Sequence, residues 1–532
     1  YSFDPSQLCT ECPSEAKCYG RYLMVPKKGY WRSGVYSDKF HACPNENACL
    51  GSNQEDDINF VGVCAEGYQG NLCQPCKIGY SRASATTCGK CPEKAVNSLR
   101  LAAFIVISCV IVGVLVYFSL ISATETKELH SIYFKIFANY LQVVMLVGIQ
   151  NYEWPSFAVG WVESLSFAGS VGDQILSLAC YLENEADENS YKDVEYQKLM
   201  LMTTLPISLS LGAFIFWQFL RLYYGVLKMF AKKVTATIVI LLFLIHPGIS
   251  NSVISILSCR EIEDGEFWLS SNYDVRCWDD KHRKYALTIS LPFFITFSVA
   301  VPLFALLYLI KNRSHLELRS MKMMFGFLYT GYKRRYFYWE FFILFVKGLI
   351  ILISLLLHNI SKQLQALLIL GILLVCFFIQ IKSKSFLRNQ LNHMEIVAML
   401  VLMFTIYCGL IYLTKDLHNA VKVLLFVLML LANTGFLIYW GCFCFRALLI
   451  HVGSMLPFIG KYFTSKNYFD GVSFTKSPAS PQSSIVEDRK TFSLVSTTRT
   501  EEKQDFSLPF PLVLVSQGSS KDVPTHRNSM SV

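Results

Sequence analysis

The sequence predicts an all-α polytopic membrane protein with about nine transmembrane helices, a small disulfide-rich N-terminal ectodomain and a disordered C-terminal tail. Ten cysteines fall between Cys9 and Cys91, and long apolar runs follow one another from Leu99 onward. Such cysteine density persists only in an oxidising compartment, and such apolar runs require lipid. Hydrophobic residues make up 53% of the 532 residues and charged residues 16%, which leaves too little polar surface for a water-soluble domain.

These patterns divide the chain into three regions. We expect an extracellular cysteine-rich ectodomain at residues 1–97, a transmembrane helical domain at 98–447 and a cytoplasmic tail at 448–532. The tail becomes rich in Ser, Thr, Lys and Pro from Lys466, which predicts disorder. The chain starts at Tyr1 without Met or a charged-then-apolar leader, so we expect a mature or truncated product that lacks a signal peptide or a longer ectodomain.

Each predicted span is a stretch of roughly 20 apolar residues, the length that one membrane-crossing helix requires. We place the spans at residues 99–122, 132–150, 199–220, 234–258, 286–310, 339–357, 364–381, 396–413 and 421–445. Lys135, Asn139 and Gln142 interrupt the second span. Residues 156–171 are apolar enough for a re-entrant or interfacial segment.

The charges between the spans predict their orientation. With the cysteine-rich head outside, the loops predicted inside carry most of the cations, which are Arg221, Lys228, Lys232, Lys233, Lys311, Arg313, Arg319, Lys322, Lys333, Arg334, Arg335, Lys382, Lys384 and Arg388. Residues 183–195, predicted outside, are mostly acidic, and Asn359 begins a glycosylation sequon on the same side. We therefore expect a plasma membrane or other secretory-pathway membrane, with the N terminus extracellular or lumenal and the C terminus cytoplasmic.

The formal net charge of +9 does not indicate nucleic acid, because its cations lie in short loops beside apolar runs. The lipid bilayer is the partner that these charges fit.

The last cysteines of the head fit two chemistries. Cys73-x2-Cys76 and Cys88-x2-Cys91 have the spacing of a zinc ribbon. The compartment favours disulfides, and the preceding Cys64 and residues 67–73 resemble the closing turn of laminin-type and other growth-factor-like modules. We expect disulfides and no metal, with ten cysteines able to pair internally in a connectivity that sequence leaves open.

Three further cysteines lie in predicted outer segments. Cys259 and Cys277 flank one outer loop, and we expect them to bridge. Cys180 then has no obvious partner: a free thiol, a bond to one of those two cysteines, or a bond to a residue upstream of Tyr1 all stay open.

Several stretches together resemble known proteins. Residues 67–92 resemble the cysteine-rich, EGF-like growth-factor-receptor modules of protist surface proteins, which likewise run directly into a span. The membrane body adds Lys135-Ile136-Phe137-Ala138-Asn139-Tyr140-Leu141-Gln142, Trp154-Pro155, Ser177-Leu178-Ala179-Cys180 and Tyr338-Trp339-Glu340. This body is similar to the transient-receptor-potential-like (TRP-like) region of fungal and protist membrane proteins, over most of residues 60–445.

The resemblance implies a cation channel or transporter that is gated or positioned by its extracellular module. Channels of that family assemble as oligomers, so a homo-oligomer is expected. One feature departs from animal channels of that name: the turn at residues 358–363 is too short for a pore helix and filter. The alternative is a cell-surface receptor or adhesion-type protein, whose helical bundle anchors and relays the binding of a protein or glycan ligand.

Four polar residues are candidates for an ion path or gate. Lys347 lies near the middle of the sixth span, where a charge costs roughly 2.5–3.5 kcal/mol and needs compensation. Glu340 lies seven residues earlier on nearly the same helix face, and we place it at the cytoplasmic boundary. His246, before Pro247, breaks the fourth span and suits a hinge or cavity lining. Glu163 either lines an outer vestibule or faces water, and structural ion pairing is the alternative role for Lys347.

Enzymatic function is not expected. The sequence contains no phosphate-binding glycine loop, no metal-spaced group of His and Glu, and no nucleophile motif with a recognisable partner. We therefore predict no catalytic residues and no cofactor.

Overall fold

The computed structural model describes residues 10–20, 23–52, 60–82, 86–122, 130–148, 180, 190–225, 229–263, 265–357, 360–413 and 418–455. Four features named in the sequence analysis lie outside these residues. They are the tail predicted from residue 466, most of the acidic stretch at 183–195, Glu163 and Asn359.

The N-terminal module consists of short antiparallel hairpins. Its strands are β1 (Ala16–Cys18), β2 (Met24–Pro26), β3 (Tyr30–Trp31), β4 (His41–Ala42), β5 (Cys49–Gly51), β6 (Val63–Cys64), β7 (Tyr80–Arg82) and β8 (Cys88–Lys90). They pair as β1 with β2, β3 with β4, β5 with β6 and β7 with β8. Disulfides within the module join Cys12 to Cys18, Cys43 to Cys49, Cys64 to Cys73 and Cys76 to Cys88. Strands this short bury little apolar surface, so cross-links supply much of the order.

Long helices form the rest of the described chain. They are α1 (Lys94–Ser122), α2 (His130–Gly148), α3 (Ser190–Tyr223), α4 (Phe230–Ile254), α5 (Asp280–Lys311), α6 (Arg319–Tyr329), α7 (Trp339–Leu356), α8 (Lys362–Ser383), α9 (Asn389–Tyr412) and α10 (Asn419–Met455). Helix α5 contains two π-helical stretches, Ala286–Ser290 and Phe294–Ala300. Helix α4 continues through Pro247 to Ile254, so the expected break at His246 is absent.

The described residues include eight helices that are long and apolar enough to cross a membrane, namely α1, α3, α4, α5, α7, α8, α9 and α10. These eight correspond to eight of the predicted spans, so the prediction of a multi-helical membrane protein is confirmed. The predicted second span forms α2, which is not among the eight.

Helix α2 lies at the centre of the bundle. It contacts α1, α4, α7, α9 and α10, and none of residues 130–147 is exposed. Its apolar residues form one core cluster with side chains of α7, α8, α9 and α10. A helix in this position meets protein on every side, so it can carry polar residues that a lipid-facing helix could not.

A small sheet follows α4 at the end of the bundle that carries the module, which we call the module end. Its strands β9 (Cys259–Glu263), β10 (Glu266–Leu269) and β11 (Asn272–Arg276) are antiparallel in the order β11-β10-β9. The expected bond between Cys259 and Cys277 closes this sheet at its base. The fold is therefore mostly helical, with strands in the module and in this outer sheet.

Cys180 is bonded to Cys91. This pairing is none of the three alternatives that the sequence left open, and it corrects the expectation that the ten cysteines of the head pair among themselves. The bond ties the segment between α2 and α3 to the residues just before α1. Because it joins positions 89 residues apart, no local spacing could indicate it.

A non-reducing digest of the purified chain should contain one peptide pair that links Cys91 to Cys180. Reduction should release both peptides, and Cys180→Ser should leave the Cys91 thiol free to alkylate. The measurement is peptide mapping by mass spectrometry. A peptide that links Cys91 to another cysteine of the module would contradict this connectivity.

Candidate functional site

The interior of the bundle holds a network of charged and amide side chains. Helix α2 contributes Lys135, Asn139 and Gln142, spaced four and three residues apart, so they share one helix face. Helix α7 contributes Glu340 and Lys347, seven residues apart and likewise on one face. All five are nearly inaccessible to solvent, with at most 5% of any residue exposed.

Glu340 is the acceptor at the centre of this network. Lys135 Nζ lies 3.2 Å from its Oε2, and the Tyr332 hydroxyl donates to the same oxygen at 2.8 Å. The Asn139 amide donates to Oε1 at 3.0 Å. Lys135 also donates to the carbonyl oxygens of Phe327 (3.1 Å) and Thr330 (3.4 Å). Both charges are therefore compensated, as burial requires.

Lys347 bonds to amides rather than to a carboxylate. Its Nζ donates to Asn139 Oδ1 and to Gln142 Oε1, both at 2.5 Å. It also lies 5.4 Å from the centroid of the Phe243 ring, a cation–π contact with α4. The Gln142 amide in turn donates to the carbonyl oxygen of Leu244 at 2.9 Å. These contacts join α2, α4 and α7 through polar bonds.

Two further polar groups border the network. Glu395 of α9 is 6% exposed, and its Oε2 has no hydrogen-bond partner among the described residues. It lies within electrostatic range of Lys135, Lys347 and Glu340. His246 of α4 donates from Nε2 to the Ser298 carbonyl oxygen at 3.2 Å, while its buried Nδ1 has no partner in the described part of the chain.

The network holds charged side chains inside the bundle. Lys347 is 1% exposed, Glu340 0% and His246 8%, so these three candidate residues are buried among the described residues. Glu340 is fully buried in the first turn of α7. A cavity beside Lys135, lined in part by Ser119 and Thr330, is large enough for about one water molecule. The proposed roles in an ion path or gate stay predictions.

The module is docked on the outer sheet. Asn71 donates from its backbone N–H to Asp274 Oδ1 (3.2 Å) and from its side chain to the Tyr273 carbonyl oxygen (2.8 Å). Gln74 accepts from the Tyr273 N–H at 3.1 Å and donates to the Ser270 carbonyl oxygen at 3.4 Å. These bonds fix the module to the segment between α4 and α5.

An apolar core underlies these polar contacts. Trp31 and Leu72 of the module are buried in one cluster with Ile262 and Tyr273 of the outer sheet. Leu72 and Tyr273 are only 1% and 4% exposed, so the contact excludes water. The module and the sheet therefore bury a shared surface and behave as one unit.

Gly70 makes this close approach geometrically feasible. Its φ of +66° lies in the left-handed region, and a Cβ at this position would overlap the Asp274 carboxylate. Only glycine lets Asp274 reach the Asn71 N–H. The backbone at residues 70–71 is therefore open enough for the Asp274 carboxylate to contact it directly.

Sequence reasoning found part of this arrangement. It singled out Lys347 and Glu340, and the spacing of Lys135, Asn139 and Gln142 was a usable signal for one polar helix face. It missed Glu395, because the eighth predicted span began one residue after it, at residue 396. It also missed Asn71, Gln74 and Asp274, whose contacts join positions about 200 residues apart and leave no local pattern.

The fold and these contacts define a membrane-type helical protein with a cysteine-rich domain. Residues 40–91 match a family model described as "Domain of unknown function (DUF7630)". The chain is also similar to the cysteine repeat modular protein A of Toxoplasma gondii, with 21% identity over 59% of this chain and 12% of the relative. The chain thus spans about an eighth of the length of that relative. No solved structure matches.

Glu340→Gln should lower the stability of the bundle by about 3–5 kcal/mol, because it leaves Lys135 buried without a carboxylate. Glu395→Gln is the matched control: it removes a buried charge that has no hydrogen-bond partner among the described residues, so stability should stay equal or rise. Thermal unfolding of the full chain in detergent micelles measures both variants. A fall in Tm for Glu395→Gln as large as that for Glu340→Gln would contradict the assigned roles.

Proposed function

We propose that this chain is the membrane-embedded part of a cell-surface receptor, in which the disulfide-rich module binds an extracellular protein or glycan and the helical bundle relays that binding. The observation that carries the proposal is the docking of the module on the outer sheet. A module that served only as a tethered binding head would need no buried contact with the membrane domain. Here Asn71 and Gln74 are bonded to the loop that links two candidate spans.

A continuous set of contacts leads from this docking surface to the buried network. Leu269 and Val275 of the outer sheet pack with Ile249 and Val253 of α4 in one buried cluster. His282 of α5 donates from Nε2 to the Ile256 carbonyl oxygen at 2.9 Å and accepts at Nδ1 from the Trp278 N–H. A displacement of the sheet is therefore applied directly to both α4 and α5.

Helix α4 carries this contact inward. Ser290 and Ser298 of α5 bond to α4 through the Val253 carbonyl oxygen (2.7 Å) and the Ser250 hydroxyl (2.6 Å). About one and a half turns from Ser250 toward the start of α4, the Leu244 carbonyl oxygen accepts a hydrogen bond from the Gln142 amide of the network. Packed side chains and hydrogen bonds of this kind can couple distant sites when the element has two arrangements.

The proposal includes an orientation, with the module outside and nine crossings. The Cys91–Cys180 bond holds the start of α1 and the segment before α3 at the same end of the bundle. Helix α1 leaves that end, and we propose that α2 returns to it. The eight candidate spans together with α2 then give nine crossings. The basic loops favour the cytoplasm for the opposite end.

The similarity to a relative whose name describes modular cysteine repeats supports a role for the module in recognition at a surface. The match of residues 40–91 to a domain family supports the module as a unit of its own. Both matches are compatible with a chain that forms one part of a longer receptor.

A second candidate function is cation transport, as the TRP-like resemblance implies. The observation that favours it is the network of Lys135, Lys347, Glu340 and Glu395, because ionisable residues inside membranes commonly mark ion pathways. Transport would require a second conformation in which water reaches these residues.

Gly70→Ala tests the relay. The added methyl group displaces the Asp274 carboxylate, so hydrogen–deuterium exchange of the full chain in nanodiscs should rise in the outer sheet and also in α4 around residues 244–254. Gly79→Ala is the matched control, because Gly79 has a similar φ of +86° and open space around its Cβ position. Increased exchange confined to the module and the sheet, with α4 unchanged, would refute the relay.

Proteoliposome flux separates the two functions. Transport predicts cation flux that Lys347→Met reduces at least tenfold, since the buried ammonium is replaced by an apolar side chain, whereas the exposed control Lys311→Gln leaves it unchanged. The receptor proposal predicts no flux above that of empty liposomes. Flux in the wild-type chain that depends on Lys347 would replace the receptor proposal with the transport candidate.

A further inference from the structure

Two loops meet at the end of the bundle opposite the module. The segment after α6 and the segment after α8 form an antiparallel bridge between Tyr332 and Phe386. The Lys333 N–H donates to the Ser385 carbonyl oxygen, and the Leu387 N–H donates to the Gly331 carbonyl oxygen, both at 2.9 Å. The two loops are thus held side by side by their backbones.

The bridge is rigidly supported from inside. Ser385 and Phe386 are 0% and 1% exposed. Asn392 of α9 accepts from the Phe386 N–H and donates to its carbonyl oxygen, both at 3.0 Å. The Ser385 hydroxyl donates to Gln380 Oε1 at 3.0 Å. Loops that only orient a membrane protein need no such frame, because the orienting effect depends on charge number and not on geometry.

Five cations emerge from this frame, and we call them the basic platform. They are Lys333, Arg334, Arg335, Lys384 and Arg388, of which all but the half-buried Lys333 are exposed. None of the five forms an ion pair with another described residue. The carboxylate in the neighbouring loop, Glu317, is bonded to Lys322 at 2.6 Å, and this hydrogen bond lowers the pKa of Glu317 below its usual value. Like charges held close in a fixed frame repel one another unless an anion lies between them.

Exposed apolar side chains lie beside these cations. Leu387, between Lys384 and Arg388, is 71% exposed, and Tyr338, after Arg335, is 41% exposed. Helix α8 ends at Ser383 and α7 begins at Trp339, so the platform lies where two candidate spans end. A surface with apolar groups and unpaired cations at a span boundary fits an amphiphile, with acyl chains toward Leu387 and phosphates toward the arginines.

We propose that the basic platform is a binding site for a polyphosphorylated lipid headgroup. Arginine forks bind phosphate oxygens in pairs, and three of the five cations are arginines, which favours several phosphates on one headgroup over a single anionic charge. The placement of this lipid in the cytoplasmic leaflet rests on the orientation proposed above. Binding itself does not, and it can be measured in detergent without any sidedness.

The test measures the affinity of the full chain, in an uncharged detergent, for dioctanoyl phosphatidylinositol 4,5-bisphosphate by microscale thermophoresis. Arg334→Gln combined with Lys384→Gln should weaken binding about 25-fold, at about fivefold for each cation removed. The matched control is Arg221→Gln combined with Lys232→Gln, which removes the same charge from the last turn of α3 and the first turn of α4 and should leave the affinity unchanged. Both variants alter surface side chains, and unchanged thermal unfolding without lipid verifies that they fold.

Two further probes identify the ligand chemistry. Dioctanoyl phosphatidylserine and free inositol 1,4,5-trisphosphate should each bind at least tenfold more weakly than the bisphosphate lipid. The serine headgroup carries one phosphodiester and no further phosphate, and the free trisphosphate lacks acyl chains. Equal binding of the free trisphosphate would overturn the lipid site in favour of a soluble phosphate site. Absence of binding, or an equal loss of affinity in the control variant, would overturn the lipid site. The five cations would then serve only to set the orientation of the chain in the membrane.

Discussion

Glu340 lies in the interior of the bundle with no exposed surface, and both of its oxygens have to be satisfied there. Lys135, Asn139 and Tyr332 meet that requirement. Two of these donors belong to α2, and this fixes the position of that helix. Facing lipid, Lys135 alone would cost about 2.5–3.5 kcal/mol, whereas beside Glu340 it has a partner. The polar face of α2 therefore explains why it is central and why the more apolar helices surround it.

The same constraint explains which features of the fold were predictable. Long apolar runs predict helices because lipid leaves a backbone few other ways to satisfy its polar groups, and eight of the predicted spans correspond to candidate spans of the structure. Helix boundaries were less accurate. Helix α3 begins at Ser190, before the predicted span at residue 199, and Tyr196 in this extension stacks on Tyr285 with ring centroids 4.5 Å apart. Hydropathy alone does not register such contacts.

The features that sequence could not provide all depend on long-range contacts. Cys91 and Cys180 carry no mark of their pairing, and Asn71 gives no sign of Asp274. Glu395 is a different case. A charge near the start of an apolar run usually indicates the end of a membrane span, where the side chain meets water. Only the packing of α9 against α2 shows that Glu395 is buried. The sequence predicted that Lys347 needs partners. Those partners are the amides of Asn139 and Gln142, which the sequence showed only as polar interruptions of the second span.

A bundle can relay a signal only if its interior has a second arrangement of similar energy. The network contains the groups for one. Lys347 has three N–H donors, of which two are directed at amide oxygens, and Glu395 has a carboxylate oxygen without a hydrogen-bond partner in the described part of the chain. Moving the Lys347 ammonium from Gln142 to this carboxylate oxygen would exchange an amide acceptor for a carboxylate and release Gln142. Because Gln142 is bonded to α4, and α4 packs against the sheet beneath the module, such an exchange would reach the contact between module and sheet through contacts that already exist.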